Sequence, residues 1–311
     1  MQKKVMNTLT YSEKQRICES RFNLSGSFWH LCTDGSKMQN IFCSDEEFSI
    51  GLIALAVTSC LCPDVKVIAF ELMNNHLHLI LAGSKQVCEE LFSKFSSRLR
   101  LIYTKRDRVL DWSCFEANIL PIDSLDSLRN EIIYTHRNAY VASPNFTPFS
   151  YPWGSGCAYF NWGDTLIHAT PFDELPFRTK RELTHCRDVS VFSRLRFVNG
   201  YVYIPSFCDV GLGESMFADA RSYFNSLTRK SEAFSLIAEK LKDTVFLTDD
   251  ELFQVILQYA KEKFSVEKLV QLSPEQRLMI ARELHFKYNA SNQQIRRLLR
   301  LELSVLNEMF P

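Results

Sequence analysis

The chain reads as α+β: a ferredoxin-like antiparallel sheet with helices in its first half, followed by an α-helical C-terminal unit. Three observations predict this. Asn74 to Leu81 alternates strictly between polar and apolar residues, as a half-buried strand does. The elements around it run strand, helix, strand, strand, helix, strand, helix, the order of an antiparallel sheet with helices on one face and the other face left open. After Val245, capping boxes recur ahead of helical apolar stripes.

The elements follow in order. Ser27 to Cys32 is a first strand, and Asp45 to Ser59 a helix with its apolar residues on one stripe. Val65 to Leu81 is a hairpin, in which Asn74-Asn75 supplies the positive φ angles of a two-residue turn. Ser84 caps a long helix whose positions Val87, Leu91, Phe95, Leu99 and Ile102 keep the helical period. Trp112 to Pro121 makes another strand. Asp123 and Asp126 then cap a helix running to about Val141, before Pro144.

Length, charge and cysteine usage bound the class. The 311 residues carry 36 basic and 36 acidic side chains, so the net charge is zero and a uniformly basic nucleic-acid coat is excluded. Any DNA contact must be local. The ten cysteines include no Cys-x-x-Cys pair, which fits reduced thiols in a cytoplasmic protein better than a disulfide framework or zinc knuckle. The first residues carry no apolar h-region and no stretch approaches eighteen uninterrupted apolar residues, so neither export nor a membrane partner is expected.

Two short stretches stand out chemically. In the hairpin, Leu77, Leu79 and Leu81 share one face of the strand, and His76 and His78 share the other. On the helix from Ser124, Leu125, Leu128, Ile132 and Ala139 form the inward stripe, whereas Tyr134 and Asn138, spaced i and i+4, share a more polar face. His136 lies on another side of that helix and reads as packed or supporting. Lys94, Arg98, Arg100, Lys105, Arg106 and Arg108 form a basic stretch opposed only by Asp107, which is either a solvated face or a phosphate-backbone contact.

The strand His76-Leu77-His78, the stretch Tyr134-Thr135-His136-Arg137-Asn138 and the later Tyr151-Pro152-Trp153-Gly154-Ser155 together resemble the REP-associated tyrosine transposases, single-tyrosine members of the HUH endonucleases. The likeness covers Phe28 to Phe160, and more loosely Gly200 to Phe224 through Ile204-Pro205-Ser206-Phe207. Asn74 stands where Pro is usual in that family, and Ala139-Tyr140 where Pro-Val usually follows the Asn.

The resemblance implies that His76, His78 and Asn138 hold a divalent metal, Mg²⁺ or Mn²⁺, and that Tyr134 is the nucleophile. It also implies single-stranded DNA as partner, cut to give a 5′-phosphotyrosine and a free 3′-hydroxyl. A phenol ionises near pH 10 and is a weak nucleophile until its target is polarised, which a metal with nitrogen and oxygen ligands and open positions can do. No phosphate-binding loop is present, so no ATP-driven strand opening is expected and a hairpin-flanked single strand is the natural substrate. Tyr103 is the next candidate nucleophile, although Leu99 one turn before it favours packing.

Three regions are expected: a nuclease domain over residues 1–160, an intermediate region over 161–245, and a helical unit over 246–311. In the last, Thr248 with Glu251, Ser273 with Gln276 and Ser291 with Gln294 open successive helices, and Ser304 to Phe310 closes an arrangement like a helix-turn-helix. Arg296, Arg297 and Arg300 would touch DNA there, unless the unit is a bundle that docks on a protein. The enzyme reading is a metal-dependent single-strand endonuclease and strand transferase, active as monomer or homodimer. The alternative is a catalytically idle DNA-binding regulator that keeps the same fold.

Overall fold

The computed structural model describes residues 9–35, 38, 40–139, 146–161, 168–228, 237, 241, 247, 249–288, 290 and 292–310. They fall into two compact units, one drawn from 1–139 and 147–229 and the other from 140–146 and 230–311. The stretch 161–245 is therefore divided, its part up to Thr228 folding with the first unit.

The first unit is mixed α+β around a four-stranded antiparallel sheet. It opens with α1 (Tyr11–Leu24), which sequence reading passed over although Thr10 and Glu13 form a complete capping box at its start. Then come β1 (Phe28–Thr33), α2 (Asp45–Leu61), β2 (Lys66–Leu72), β3 (Leu77–Ala82), α3 (Lys85–Lys105), β4 (Ala117–Ile122) and α4 (Leu125–Arg137), with strand order β2-β3-β1-β4. Ser44, Ser84 and Ser124 cap the three later helices, each accepting from the backbone N–H three residues on. For α4 the cap is thus Ser124, not Asp123, and the helix ends at Arg137 with Asn138 as its C-cap; the expected end near Val141 lies outside the described residues.

The hairpin turn is made differently from the expected one. Among the described residues with positive φ, neither Asn74 nor Asn75 appears. The turn is held by tertiary contacts: Asn74 O accepts from Ile41 N and Phe42 N at 2.6 and 2.9 Å, and Asn75 Nδ2 donates to Gly35 O at 2.8 Å. These contacts add to the turn's own closing bond, from Met73 N to His76 O at 2.9 Å.

Strand register separates two faces. His78 pairs with Cys32 and Glu71, and Ile80 with His30 and Ala69, so these side chains share one face. Leu77, Leu79, Phe70 and Leu72 take the other. Helices α2 and α3 cover the leucine face: a Cβ on Gly51 of α2 would lie 3.2 Å from Leu72 Cδ1. Helix α4 covers the histidine face, where its Tyr134 and Glu131 meet His78 and His30. The expectation of helices on one side and an open face on the other is thus corrected. The stripe Leu125, Leu128 and Ile132 needs apolar cover, and the histidine face provides it. All six residues of β3 are buried as a result.

The outer edge of β2 is sealed by two distant segments. Tyr151 OH donates to Leu72 O at 2.6 Å, Trp153 O accepts from Leu72 N at 3.0 Å, and Gly154 bridges Glu71. Further along, Asp209 N donates to Val67 O at 2.7 Å, beside a bridge from Val67 to Cys208. Open ladder groups that would otherwise template foreign strands are covered. A small second sheet of β5 (Thr170–Pro171), β6 (Arg196–Val198) and β7 (Tyr201–Val202) follows, with α5 (Phe177–Thr184), α6 (Val210–Glu214) and α7 (Ala220–Thr228).

The second unit contains α8 (Asp249–Phe264), α9 (Pro274–Tyr288), α10 (Asn292–Leu299) and α11 (Leu303–Met309). Their core includes Leu252, Ile256, Ile280, Leu284, Ile295, Leu299 and Leu306. The box at Ser273 forms, with Gln276 N donating to Ser273 Oγ at 3.2 Å and Ser273 N to Gln276 Oε1 at 2.9 Å. Thr248 and Ser291, the first members of the other two, lie outside the described residues.

Candidate functional site

Strand β3 and helix α4 converge on one cluster. His76 and His78 stand with ring centroids 5.1 Å apart, and the Tyr134 ring packs edge-on against His78 at 5.6 Å. These three sequence-predicted residues are brought together, because the alternation that hides Leu77 and Leu79 turns both imidazoles toward α4. The cluster is closed to solvent: Tyr134 is 6 % exposed and His78 0 %. Burial, followed by the neighbouring His76 and His30, holds the His78 imidazole well below its usual protonation range, so it is neutral.

The structure adds residues that sequence reading missed. His30 of β1 packs against Tyr134 at 6.2 Å and against His78 at 5.3 Å. Its Nδ1 lies 2.6 Å from Glu131 Oε2 and its Nε2 3.1 Å from His78 Nδ1. Glu131 sits one turn before Tyr134 on α4. On the same face, Glu71 is buried beneath Gly154, and burial raises its carboxyl well above the usual range; its Oε1 has no hydrogen-bond partner among the described residues.

Asn138 is buried one turn after Tyr134, and its Nδ2 donates to Tyr134 O at 3.1 Å and Thr135 O at 3.4 Å. These bonds point its amide nitrogen back into α4 and leave the carbonyl oxygen as the group with capacity to accept. His136 is a packed support: its ring nitrogens lie 2.8 Å from Tyr223 OH and 2.8 Å from Ser155 Oγ, and burial pushes it down to about 3. Ser155 Oγ in turn accepts from Phe70 N at 2.8 Å, so His136 ties the Tyr-Pro-Trp-Gly-Ser segment to β2. Tyr103 is core, fully buried with its hydroxyl donating to Ile41 O at 2.8 Å.

The basic residues lie elsewhere. Lys94, Arg98, Arg100, Lys105 and Arg106 belong to α3 and its C-cap, on the leucine side of the sheet, opposite the histidines. Several serve the fold: Lys94 pairs with Glu90 at 2.7 Å, Arg106 with Glu46 at 2.7 Å, and Arg108 with Glu47. Arg98 donates to Thr184 O and reaches Cys186 Sγ at 3.3 Å, while Arg100 donates to Trp112 O at 3.1 Å. In the second unit Arg297 forms a two-point pair with Asp249 at 2.9 and 3.0 Å, and Arg296 and Arg300 are exposed.

Among the described residues no group of three or more His, Cys, Asp or Glu side chains is arranged to hold a metal ion. By donor type, His76, His78 and Asn138 are compatible with a divalent ion: imidazole nitrogens suit ions such as Zn²⁺ or Fe²⁺, and a carbonyl oxygen suits Mg²⁺ or Mn²⁺. Among the described residues no helix is long and apolar enough to cross a membrane. No protein-family model, no curated protein and no solved structure matches this chain.

Proposed function

We propose that the chain is a metal-dependent single-strand DNA endonuclease and strand transferase, with Tyr134 as nucleophile and a ferredoxin-like HUH nuclease fold. The observation that carries this reading is the convergence of Tyr134 with His76 and His78, residues from two elements far apart in sequence, on one buried face. The strand order β2-β3-β1-β4 supports the fold part.

In this reading His76, His78 and Asn138 hold Mg²⁺ or Mn²⁺, which when bound supplies Lewis-acid polarisation of the scissile phosphate. Tyr134 Oη forms a bond to phosphorus as the bond from phosphorus to the 3′-oxygen breaks. The phenol gives up its proton, the 3′-oxygen leaves as a hydroxyl, and the 5′-phosphate stays on Tyr134. The covalent ester conserves the bond for a later joining step. In this reading the strand does not lie across an open face, because α4 covers the histidines and Tyr134 is buried among them.

The test is a denaturing gel for protein-DNA adducts, using 5′- and 3′-labelled single strands with an adjoining hairpin, Mn²⁺ and no ATP. An adduct retaining the 3′ side of the cut is expected from the wild type. It should vanish in Tyr134→Phe and fall by at least a hundredfold in His76→Ala and His78→Ala. An undiminished adduct in Tyr134→Phe, or equal cutting of a perfect duplex, would sink the reading.

A further inference from the structure

Three side chains at this cluster have no part in the reaction as written: the buried His30 and the half-buried Glu131 and Asn75. Their contacts decide where the protons of the two candidate ligand imidazoles sit. A neutral imidazole carries its proton on one ring nitrogen and a lone pair on the other, and only the lone pair binds a cation.

With Glu131 ionised and a single proton on each imidazole ring, the chain of contacts runs in one direction. A carboxylate accepts and does not donate, so at 2.6 Å from Glu131 Oε2 it is His30 Nδ1–H that donates. In neutral His30 the Nε2 atom then carries the lone pair. It lies 3.1 Å from His78 Nδ1, so His78 donates from Nδ1 and its own lone pair is on Nε2. At His76 the same outcome arises by another route. Asn75 Nδ2 donates to Gly35 O at 2.8 Å, which fixes the orientation of the amide and directs Oδ1 to His76 Nδ1, also at 2.8 Å. An amide oxygen accepts, so His76 Nδ1 carries the proton.

We propose that Glu131 and His30 are positioning residues: acting in series, they lock His78 as the Nδ1–H tautomer, as Asn75 and Gly35 lock His76, so that both imidazoles offer Nε2 to a divalent cation. The proposal deepens the metal-site reading above and rests on it for its purpose, though the tautomers themselves can be read without metal. Placing Glu131 one turn before Tyr134 also couples the two jobs of α4. The helix that carries the nucleophile carries the carboxylate that orients the ligand.

The experiment uses full-length protein with ¹⁵N-labelled histidine. Long-range proton-nitrogen correlation spectra at pH 8, without metal, report which ring nitrogen is protonated in His30, His76 and His78. Protonated Nδ1 in all three, with unprotonated Nε2, is expected. Mn²⁺ affinity is then measured by titration calorimetry. Glu131→Ala and His30→Phe should each weaken it about 10–100-fold, the range for lost outer partners of metal ligands. Glu131→Gln, which keeps an accepting oxygen, should stay within a few-fold of wild type. His78 protonated on Nε2, a doubly protonated His30 that donates to His78, or unchanged affinity in both disruptive variants would overturn the proposal. Wild-type spectra as expected with no Mn²⁺ binding would uphold the tautomer lock while refuting the metal reading.

Discussion

Gly154 backs directly onto the carboxyl of Glu71: a Cβ at that position would occupy the space of Oε2. The contact joins the Tyr-Pro-Trp-Gly-Ser segment to the outer strand of the sheet, on the face that carries the histidines. It gives that glycine a role that is steric and local.

Gly154→Ala should therefore force Glu71 and the edge bridge apart. Overpacking of a filled core costs about 1–3 kcal/mol. Denaturant melts should show a loss in that range, with a parallel loss of adduct as His78, the cross-strand neighbour of Glu71, is disturbed. A variant as stable as wild type would show that the edge has slack.

The buried Glu71 carboxyl makes a pH prediction. Its folded pKa is raised above the unfolded value near 4.5, so its contribution is intact below that pH and is lost as pH rises toward the folded value. Glu71→Gln removes the proton to be lost. The variant should gain in melting temperature over wild type as pH is raised from 4.5 to 8, and a difference that shrinks with rising pH would contradict the burial argument.

His136 acts in the opposite direction. Folded at about 3 against an ordinary 6.5, it contributes stability above 6.5 that is lost as pH falls toward 3. Each unit in that window is worth about 1.4 kcal/mol. Urea melts between pH 7 and 5 should show the decline, and His136→Gln should be weaker at pH 7 but flatter over the range.

Arg98 separates structural from DNA-contacting roles on α3. Its guanidinium is spent on Thr184 O and Cys186 Sγ, on the leucine side of the sheet. Arg98→Ala should lower thermal stability, by loosening α5 from α3, while adduct yield at saturating DNA stays within twofold. A stable variant with strongly weakened, less salt-sensitive DNA binding would restore Arg98 to the DNA interface.

The residues of the candidate site were legible because their signal is local. The alternation at His76 and His78 and the i, i+4 spacing of Tyr134 and Asn138 are readable within a few residues of chain. His30 was not, since a single histidine in Phe-Trp-His-Leu-Cys-Thr has no pattern of its own; the register of β1 against β3 alone places it beside His78. The second layer on the histidine face was missed for a related reason. An amphipathic stripe on α4 says that the helix is covered, not which face of the sheet covers it. The start of α1 was available, since Thr10 and Glu13 form the same kind of box that marked the C-terminal helices.

The two segments that close the β2 edge bear on how the protein is made. The chain emerges from its N-terminus, and β2 is complete long before Gly154, and longer still before Cys208 and Asp209. At roughly 5–20 residues per second, the nascent sheet waits on the order of ten seconds with one side of its outer strand unpaired. During that interval the half-made protein is at its most adhesive. A fragment cut after the histidine and tyrosine elements would keep every proposed reacting group and yet be trapped permanently in that adhesive stage.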